Sequence, residues 1–193
     1  MPWEKSFDID DAVDRATELF WEKGYQSTSL ADLMKATGVQ KGSFYNAFGN
    51  KKKLFTMSVL KYEREQRRDI LAELERMDNP LQAIETFFDM LIQQSSTDAK
   101  KKGCFLINLA LDMPNQDEDI QAIVKKGLSD TEAFFAKQLS RGVEIGVIPT
   151  HVDPVREASG LMALLVGLRV LSRGAYDEKS LTTIKLHALR LIQ

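Results

Sequence analysis

The sequence is poor in the residues that build disulfides and metal centres. Its 193 residues include one cysteine, Cys104, and two histidines, His151 and His187. A single cysteine excludes an intramolecular disulfide framework and is typical of a reducing compartment, so we expect a cytoplasmic protein. Two separated histidines and one cysteine do not supply the ligands of a structural zinc site, and we expect no metal and no cofactor.

Long apolar runs are missing as well. No run reaches the ~20 residues that span a bilayer. The first ten residues, MPWEKSFDID, are acidic and lack the apolar stretch of a secretory signal. We therefore expect no membrane segment and no leader. Strand-like alternation and internal repeats are also absent, and apolar residues recur instead at spacings of three and four, which predicts an all-α fold.

Positive charge is concentrated in one segment of a mildly acidic chain. The net charge is −2, whereas residues 35–68 hold nine basic and two acidic side chains, a net charge of +7. Such a segment indicates a nucleic-acid-binding surface. The alternative is that Lys51, Lys52 and Lys53 form only a solvated helix start. Cations at a helix N-terminus oppose the helix dipole, however, which favours an external anion there.

Residues 28–55, TSLADLMKATGVQKGSFYNAFGNKKKLF, organise the chain. The apolar spacing predicts a first short helix that Gly38 ends, with Thr28 and Ser29 as candidate N-caps and Asp32 three residues after Ser29, as in a capping box. A second short helix is predicted over residues 41–48, with Phe44 facing inward. Two short helices joined by a Gly-containing turn form a helix-turn-helix unit, whose second helix enters the DNA major groove.

The outer face of the second helix carries side chains suited to DNA. Gln40 and Asn46 are residue types that bond adenine through two hydrogen bonds. Lys41 and Tyr45 can reach phosphates, which position a protein without reading sequence. Gly42 omits a side chain where a backbone must approach closely.

A longer signature surrounds these residues. It consists of Gly24-Tyr25, Thr28-Ser29, Ala36, Gly38-Val39, Lys41-Gly42, Phe44-Tyr45, Phe48 and Lys51, followed by Leu54-Phe55. In this signature the chain resembles the DNA-binding domain of the tetracycline-repressor family of bacterial transcription regulators. Gln40 replaces a frequent Ser or Thr, Ala47 a frequent His and Lys52 a frequent Glu. These departures bear on the operator sequence and not on the fold.

The resemblance implies an N-terminal three-helix helix-turn-helix domain over residues 1–52. A long helix would join it to a larger C-terminal helical ligand-binding and dimerisation domain over residues 53–193. The implied function is a repressor that binds palindromic double-stranded operator DNA as a homodimer and responds to an unknown small molecule. The residues expected to bind DNA are Thr28, Ser29, Gln40, Lys41, Gly42, Ser43, Tyr45, Asn46 and Lys51.

The remaining chain reads as a series of helices. They are predicted at residues 7–24, 50–77, 80–95, 103–113, 117–143, 154–173, and from 178 or 180 onward. Asp8 is expected to cap the first helix, and Trp3 and Trp21 are interpreted as packing residues. Residues 63–69 in the long helix are wholly polar, which predicts a bridge between two packed regions.

By the resemblance, a small-molecule pocket lies in the C-terminal domain. Its expected walls are Phe87, Phe88, Leu91, Cys104, Phe105, Asn108, Phe134, Phe135 and Met162. For each apolar member taken individually, ordinary core packing is the favoured explanation. Asn108 is the expected polar determinant, because an amide inside an apolar run must find a hydrogen-bond partner.

Small residues mark the predicted helix over residues 154–173. Gly160, Ala163 and Gly167 are spaced three and four apart, so they form a flat strip that lets another helix approach. The resemblance implies that the last two helices build a four-helix bundle between two subunits, and the alternative is packing within one subunit. The expected interface residues are Gly160, Ala163, Gly167, Leu171, Ile184 and Leu189.

Three alternative functions are compatible with parts of the sequence. Cys104 follows three lysines and opens an apolar helix, a setting that favours a reactive thiolate, so the repressor could respond to electrophiles or oxidants. A buried thiol that acts as a small hydrophobe is the ordinary explanation. A Cys-dependent enzyme would need a base, and no His or acid lies at a suitable spacing, so we expect no enzyme. An architectural DNA-binding protein would lack a cavity for a ligand.

Overall fold

Ten α-helices and no β-strand are found in residues 7–193, the part of the chain that the structure, a computed structural model, describes. The all-α fold is therefore confirmed, while Trp3 lies outside the described residues. The helices are α1 (Ile9–Lys23), α2 (Leu30–Thr37), α3 (Lys41–Phe48), α4 (Lys51–Glu63), α5 (Asp69–Glu75), α6 (Pro80–Thr97), α7 (Phe105–Leu111), α8 (Glu118–Glu144), α9 (Pro154–Leu171) and α10 (Glu178–Arg190).

Contacts divide the chain into a first unit that ends at Arg64 and a second unit that begins at Glu65. In the first unit α1 packs against α2 and α4. Its core includes Phe20 and Phe55, whose rings meet edge to face at 5.0 Å between centroids. Burial of each such side chain contributes about 1.5–3 kcal/mol. The apolar side of α4 lies in this core, so the contacts place α4 with the first unit, beyond the domain boundary predicted at residues 52/53.

Side-chain caps fix the helix ends of the first unit. The Asp8 carboxylate accepts hydrogen bonds from the backbone N–H groups of Asp10 and Asp11 and caps α1, as predicted. Ser29 and Asp32 form a complete capping box at the start of α2. Gly38 ends α2 with φ +71°, a left-handed conformation that glycine adopts without strain.

The second unit is built on contacts of α8 with α9 and of α6 with α8 and α10. Its core contains Phe88, Phe135, Leu139, Leu161 and Leu168, all at most 1% exposed. The nearly continuous apolar sequence of α7 fits its burial, because α7 lies against both α8 and α9. Among residues 7–193, no helix has both the length and the apolar character that crossing a bilayer requires.

The single helix predicted over residues 50–77 was wrong in detail. A π-helical turn, Arg64–Arg68, separates α4 from α5. It falls within the polar stretch 63–69, where no run of apolar residues holds a helical face against a core. Arg67 of this turn reaches Asp130 of α8, with 3.4 Å between guanidinium and carboxylate, so the polar stretch is tied to the second unit. The other predicted helices agree with the structure to within a few residues at their ends.

Replacing Ser29 with Ala should lower the free energy of unfolding by about 0.5–2 kcal/mol, because the backbone N–H of Asp32 loses its acceptor. Urea unfolding followed by circular dichroism measures this difference. Ser27→Ala removes a hydroxyl from an exposed turn residue and is the control. An equal loss in both variants would contradict the cap.

The same cap predicts a pH dependence. Hydrogen bonds from Ser29 hold the pKa of the Asp32 carboxyl below its usual value. A carboxyl with a lower pKa in the folded state stabilises the fold above its unfolded pKa and loses that effect as the pH falls. The difference between wild type and Ser29→Ala should therefore shrink below about pH 4.

Candidate nucleic-acid interface

Two buried rings fix the orientation of α3. Phe44 and Phe48 are almost fully buried in the first unit, and their rings meet edge to face at 5.4 Å. Phe7 adds a tilted contact with Phe48 at 6.1 Å. Because these residues lie one turn apart, they fill one side of α3 and turn the opposite side to solvent.

The exposed side of α3 holds the polar residues predicted to contact DNA. Gln40, Lys41, Gly42 and Asn46 are exposed, and Tyr45 has 43% of its surface exposed. Ser43 is half-buried at the edge of the same side. The structure thus brings these six predicted residues together on one surface, which we call the α3 face.

Gln40 occupies the N-cap position of α3 without capping it. Its backbone is extended, with φ −71° and ψ 155°, and its side chain makes no cap hydrogen bond. A Ser or Thr, which is frequent at this position of the signature, would use its hydroxyl to accept a hydrogen bond from a backbone N–H in the first turn of the helix. The amide of Gln40 is instead exposed and makes no hydrogen bond to the start of α3.

Gly42 lies where added bulk would meet nothing inside the protein. A Cβ built on Gly42 has no atom within 4 Å, and its φ is not in the left-handed region. Neither packing nor backbone conformation explains this glycine. Close approach of DNA at Gly42, as expected from the sequence, stays a prediction.

Lys51 begins α4 and is held by an aromatic ring. Its ammonium lies 4.2 Å from the centroid of the Tyr25 ring, a cation–π contact. Partial burial lowers the pKa of the Lys51 ammonium from its usual value. The contact limits the positions open to the charge at the start of α4. The contact between Tyr25 and Lys51 was not predicted from the sequence. The only indication of it there was that both residues belong to the same signature.

Thr28 is placed differently from the other predicted DNA contacts. It is 1% exposed, and its hydroxyl donates to the carbonyl of Gly24 at 2.7 Å. This burial argues against direct contact of its side chain with DNA. Ser29 is exposed, but its hydroxyl is bonded to Asp32 in the capping box. The two residues shape the corner before α2.

The residues predicted to line a ligand pocket fall into two groups. The rings of Phe87, Phe88, Phe134 and Phe135 contact one another in the core of the second unit. Phe105 is buried, while Leu91, Cys104 and Met162 are half-buried. The structure describes these positions as core or as partly covered surface, so a pocket here stays a prediction.

Asn108 has its amide engaged within the chain. Its Nδ2 donates to the carbonyl of Lys102 at 2.8 Å, and its Oδ1 accepts from Nη1 of Arg173 at 3.2 Å. The partner that a half-buried amide requires is therefore supplied by the protein itself. A ligand would have to exchange one of these bonds to use Asn108.

The small-residue strip on α9 is only partly open. Ala163 is exposed, and a Cβ on Gly167 would have no atom within 4 Å. A Cβ on Gly160 would lie 3.2 Å from Leu191, so this glycine serves packing within the chain. Leu171 and Ile184 are half-buried against the core of the second unit. Leu189 belongs to that core, so its burial needs no second subunit.

Cys104 is the N-cap residue of α7 and is half-buried. Its proposed response to oxidants or electrophiles stays a prediction. In residues 7–193, no three His, Cys, Asp or Glu side chains come together in a way that could hold a metal ion.

Comparison with known proteins agrees with both units. The family model of bacterial regulatory proteins of the tetR family matches residues 12–56, and that of the tetracyclin repressor-like C-terminal domain matches residues 80–187. The HTH-type transcriptional repressor ComR of Escherichia coli K12 is 29% identical over 191 residues, which cover 97% of this chain and 90% of ComR.

Two solved structures show the same fold. A cysteine mutant of the TetR family regulator CifR, in complex with 26-bp double-strand operator DNA, superposes with a TM-score of 0.84 at 24% identity and covers 97% of this chain and 98% of its own. Reduced NemR of E. coli superposes with a TM-score of 0.86 at 20% identity and covers 95% of this chain and 96% of its own. With family models matching the α3 face and more than half of the chain behind it, this chain belongs to the tetracycline-repressor family of bacterial transcription regulators.

Proposed function

We propose that this protein represses transcription by binding palindromic operator DNA as a homodimer, and that a small molecule bound in the second unit changes its affinity for DNA. The observation that carries the proposal is the α3 face, a polar surface held in place by two buried rings and containing side chains that the fold does not use. The relatives ComR and NemR are HTH-type transcriptional repressors, which supports this proposal, as does the operator DNA bound to CifR.

The proposed roles follow from where each group lies. Gln40, Ser43 and Asn46 read base edges in the major groove, because they lie at the start and along the open side of α3. Tyr45 and Lys41 flank them and contact phosphates. Lys51 contacts a phosphate from the start of α4, where its charge adds to the partial positive charge of the helix end.

A two-fold dimer is proposed because a palindrome presents two identical half-sites. The second unit offers apolar surface for it on its last helices. Ala163 is exposed and Gly167 open on α9, and Leu186 and Leu191 at the α10 end are about half exposed. Such apolar exposure on adjoining helices is characteristic of interaction surfaces. The proposed place of action is the bacterial cytoplasm, where operator DNA lies.

Replacing Gly42 with Ala should separate DNA binding from stability. The added methyl group meets nothing within the protein, and alanine is the better helix former by about 0.5–1 kcal/mol, so the free energy of unfolding should rise. Operator affinity should fall by at least ~10-fold, because the methyl group lies where DNA approaches. Urea unfolding and fluorescence anisotropy with operator DNA measure the two effects. Unchanged affinity in a stabilised variant would contradict contact at Gly42.

Lys51→Ala should weaken binding to every DNA sequence alike. The slope of log K against log salt should become shallower by about 0.9, the value for one phosphate contact. The measurement is anisotropy at several salt concentrations, with Lys125→Ala in the exposed part of α8 as the charge-matched control. A change of sequence preference with an unaltered slope would assign Lys51 to a base and not to a phosphate.

Gln40→Ala should instead relax the preference at one position of each half-site, at a cost of roughly 1–3 kcal/mol for a lost bidentate contact. The preferred sequences are measured by selecting bound DNA from a random pool. Helix stability should stay the same, since the side chain of Gln40 makes no cap hydrogen bond. Identical preferences in wild type and variant would remove Gln40 from the reading surface.

Gly167→Leu should disrupt the dimer and leave each subunit folded, because the position is open within the chain. Sedimentation equilibrium should give a dimer for wild type at micromolar concentration and a shift toward monomer for the variant. Ala122→Leu, at an exposed position of α8, is the control for added bulk. A monomeric wild type would refute the dimer, and a dimeric Gly167→Leu would move the interface elsewhere.

A further inference from the structure

Arg169, near the end of α9, is a buried cation without a carboxylate partner in residues 7–193. It is 5% exposed. Its hydrogen bonds all go to uncharged acceptors: Nη1 donates to the carbonyl of Leu91 at 3.3 Å and to Oγ of Ser95 at 3.1 Å, and Nη2 donates to the carbonyl of Gly103 at 2.9 Å. Its Nε is buried and has no hydrogen-bond partner.

Other largely buried cations of the second unit are paired. The Lys185 side chain is 13% exposed, and its ammonium lies 2.8 Å from Asp89 and 3.4 Å from Glu85. The Arg67 side chain is 10% exposed and lies 3.4 Å from Asp130. A buried charge is costly unless an opposite charge compensates it. Unlike Lys185 and Arg67, Arg169 has no carboxylate partner in the described residues; Arg141 also bonds only uncharged acceptors, but it is less buried.

The unsatisfied part of Arg169 has the geometry of a carboxylate site. The Nε–H and one Nη2–H of a guanidinium point in parallel and bind the two oxygens of a carboxylate side by side. On this edge of Arg169, Nε has no partner and Nη2 is bonded to a single neutral carbonyl. The Nη1 group on the other side is fully used by α6.

Positively charged residues lie near this edge, and the Asp98 carboxylate of the same segment accepts hydrogen bonds from the backbone N–H groups of Lys102 and Gly103. Arg173 lies one turn further along the same side, where its guanidinium bonds the carbonyl of Lys101 and the Oδ1 of Asn108. Three consecutive lysines, Lys100 to Lys102, precede Gly103. A Cβ on Gly103 would come within 2.9 Å of the Arg173 side chain, and Gly103 has φ +74°, so glycine is required where the chain passes between the two arginines.

We propose that the effector carries a carboxylate, which the Nε–Nη2 edge of Arg169 binds in place of the Gly103 carbonyl, with Arg173 at the rim. This inference rests on the proposed function and specifies the ligand of its second unit. Three residues predicted for the pocket belong to this neighbourhood: the Leu91 carbonyl accepts from Arg169, Cys104 follows Gly103 in the chain, and Asn108 accepts from Arg173. Release of the Gly103 carbonyl would remove one of the bonds that hold the segment between α6 and α7, so the bond exchange that binds the ligand would also act on that segment.

The test measures carboxylates against their uncharged amides. Calorimetric titration of the full-length protein uses benzoate, phenylacetate and hexanoate, each beside benzamide, phenylacetamide and hexanamide, at constant ionic strength. Wild type should bind at least one carboxylate more tightly than its amide by about 10–100-fold, the range for a charged hydrogen-bonded contact. Equal or weaker binding of all three carboxylates would overturn the proposal without any variant.

Variants then locate the site. Arg169→Met should lose the preference for the carboxylate, and circular dichroism of the unliganded variant shows whether it is folded after losing the three hydrogen bonds of Arg169. Lys185→Met, which removes a cation paired with two acids, should keep the preference. Arg173→Gln, at an exposed position, should weaken the preference for the carboxylate over its amide. This variant tests the site even if Arg169→Met does not fold. Preference retained in both arginine variants would overturn the site.

Operator binding is measured on the same samples. Wild type that binds palindromic DNA and shows no carboxylate preference refutes the inference and leaves the proposed regulator intact. Wild type that binds no palindromic DNA refutes the proposed function, whatever the titrations give.

Discussion

The orientation of the α3 face depends on the burial of two phenylalanine rings. Phe44 and Phe48 lie one turn apart on the eight residues of α3, a length at which an isolated helix is not stable in water. Tertiary packing therefore makes α3 a helix at all, and it sets which side of α3 faces outward. Because these rings fix the rotation of α3 about its axis, they also determine that Gly42 and the side chain of Gln40 are exposed on the α3 face.

Much of the first unit could be predicted from sequence because its signals are local. Asp8, Ser29 and Gly38 act through bonds to residues at most four positions away, so their roles follow from short spacings. The bounds of α3 were predicted correctly for the same reason. The contact between Tyr25 and Lys51 was not predicted, since it joins residues far apart in sequence and depends on how α4 packs.

Several features of the second unit could not be predicted from the spacing of apolar residues. Apolar spacing located its helices, but it did not predict the π-helical turn Arg64–Arg68. A π-helical turn shifts the spacing of apolar residues, and this polar stretch has no apolar residues in which such a shift could be seen. The apolar pattern indicated that Asn108 needs a partner without naming Lys102 and Arg173. It also did not predict the buried environment of Arg169. In the sequence Arg169 is one arginine in an apolar helix, and only the structure shows that its hydrogen bonds go to uncharged acceptors.

The unused side chain at the start of α3 has a consequence for how such proteins diverge. Because Gln40 makes no cap hydrogen bond, the helix start does not depend on the chemistry of that side chain. Under the base-reading role proposed for Gln40, mutation at this position would change the preferred DNA sequence without a penalty in folding, whereas mutation at Ser29 would destabilise the fold. Duplicated copies of such a gene would then acquire separate operators by single substitutions, before any compensating change in the rest of the chain.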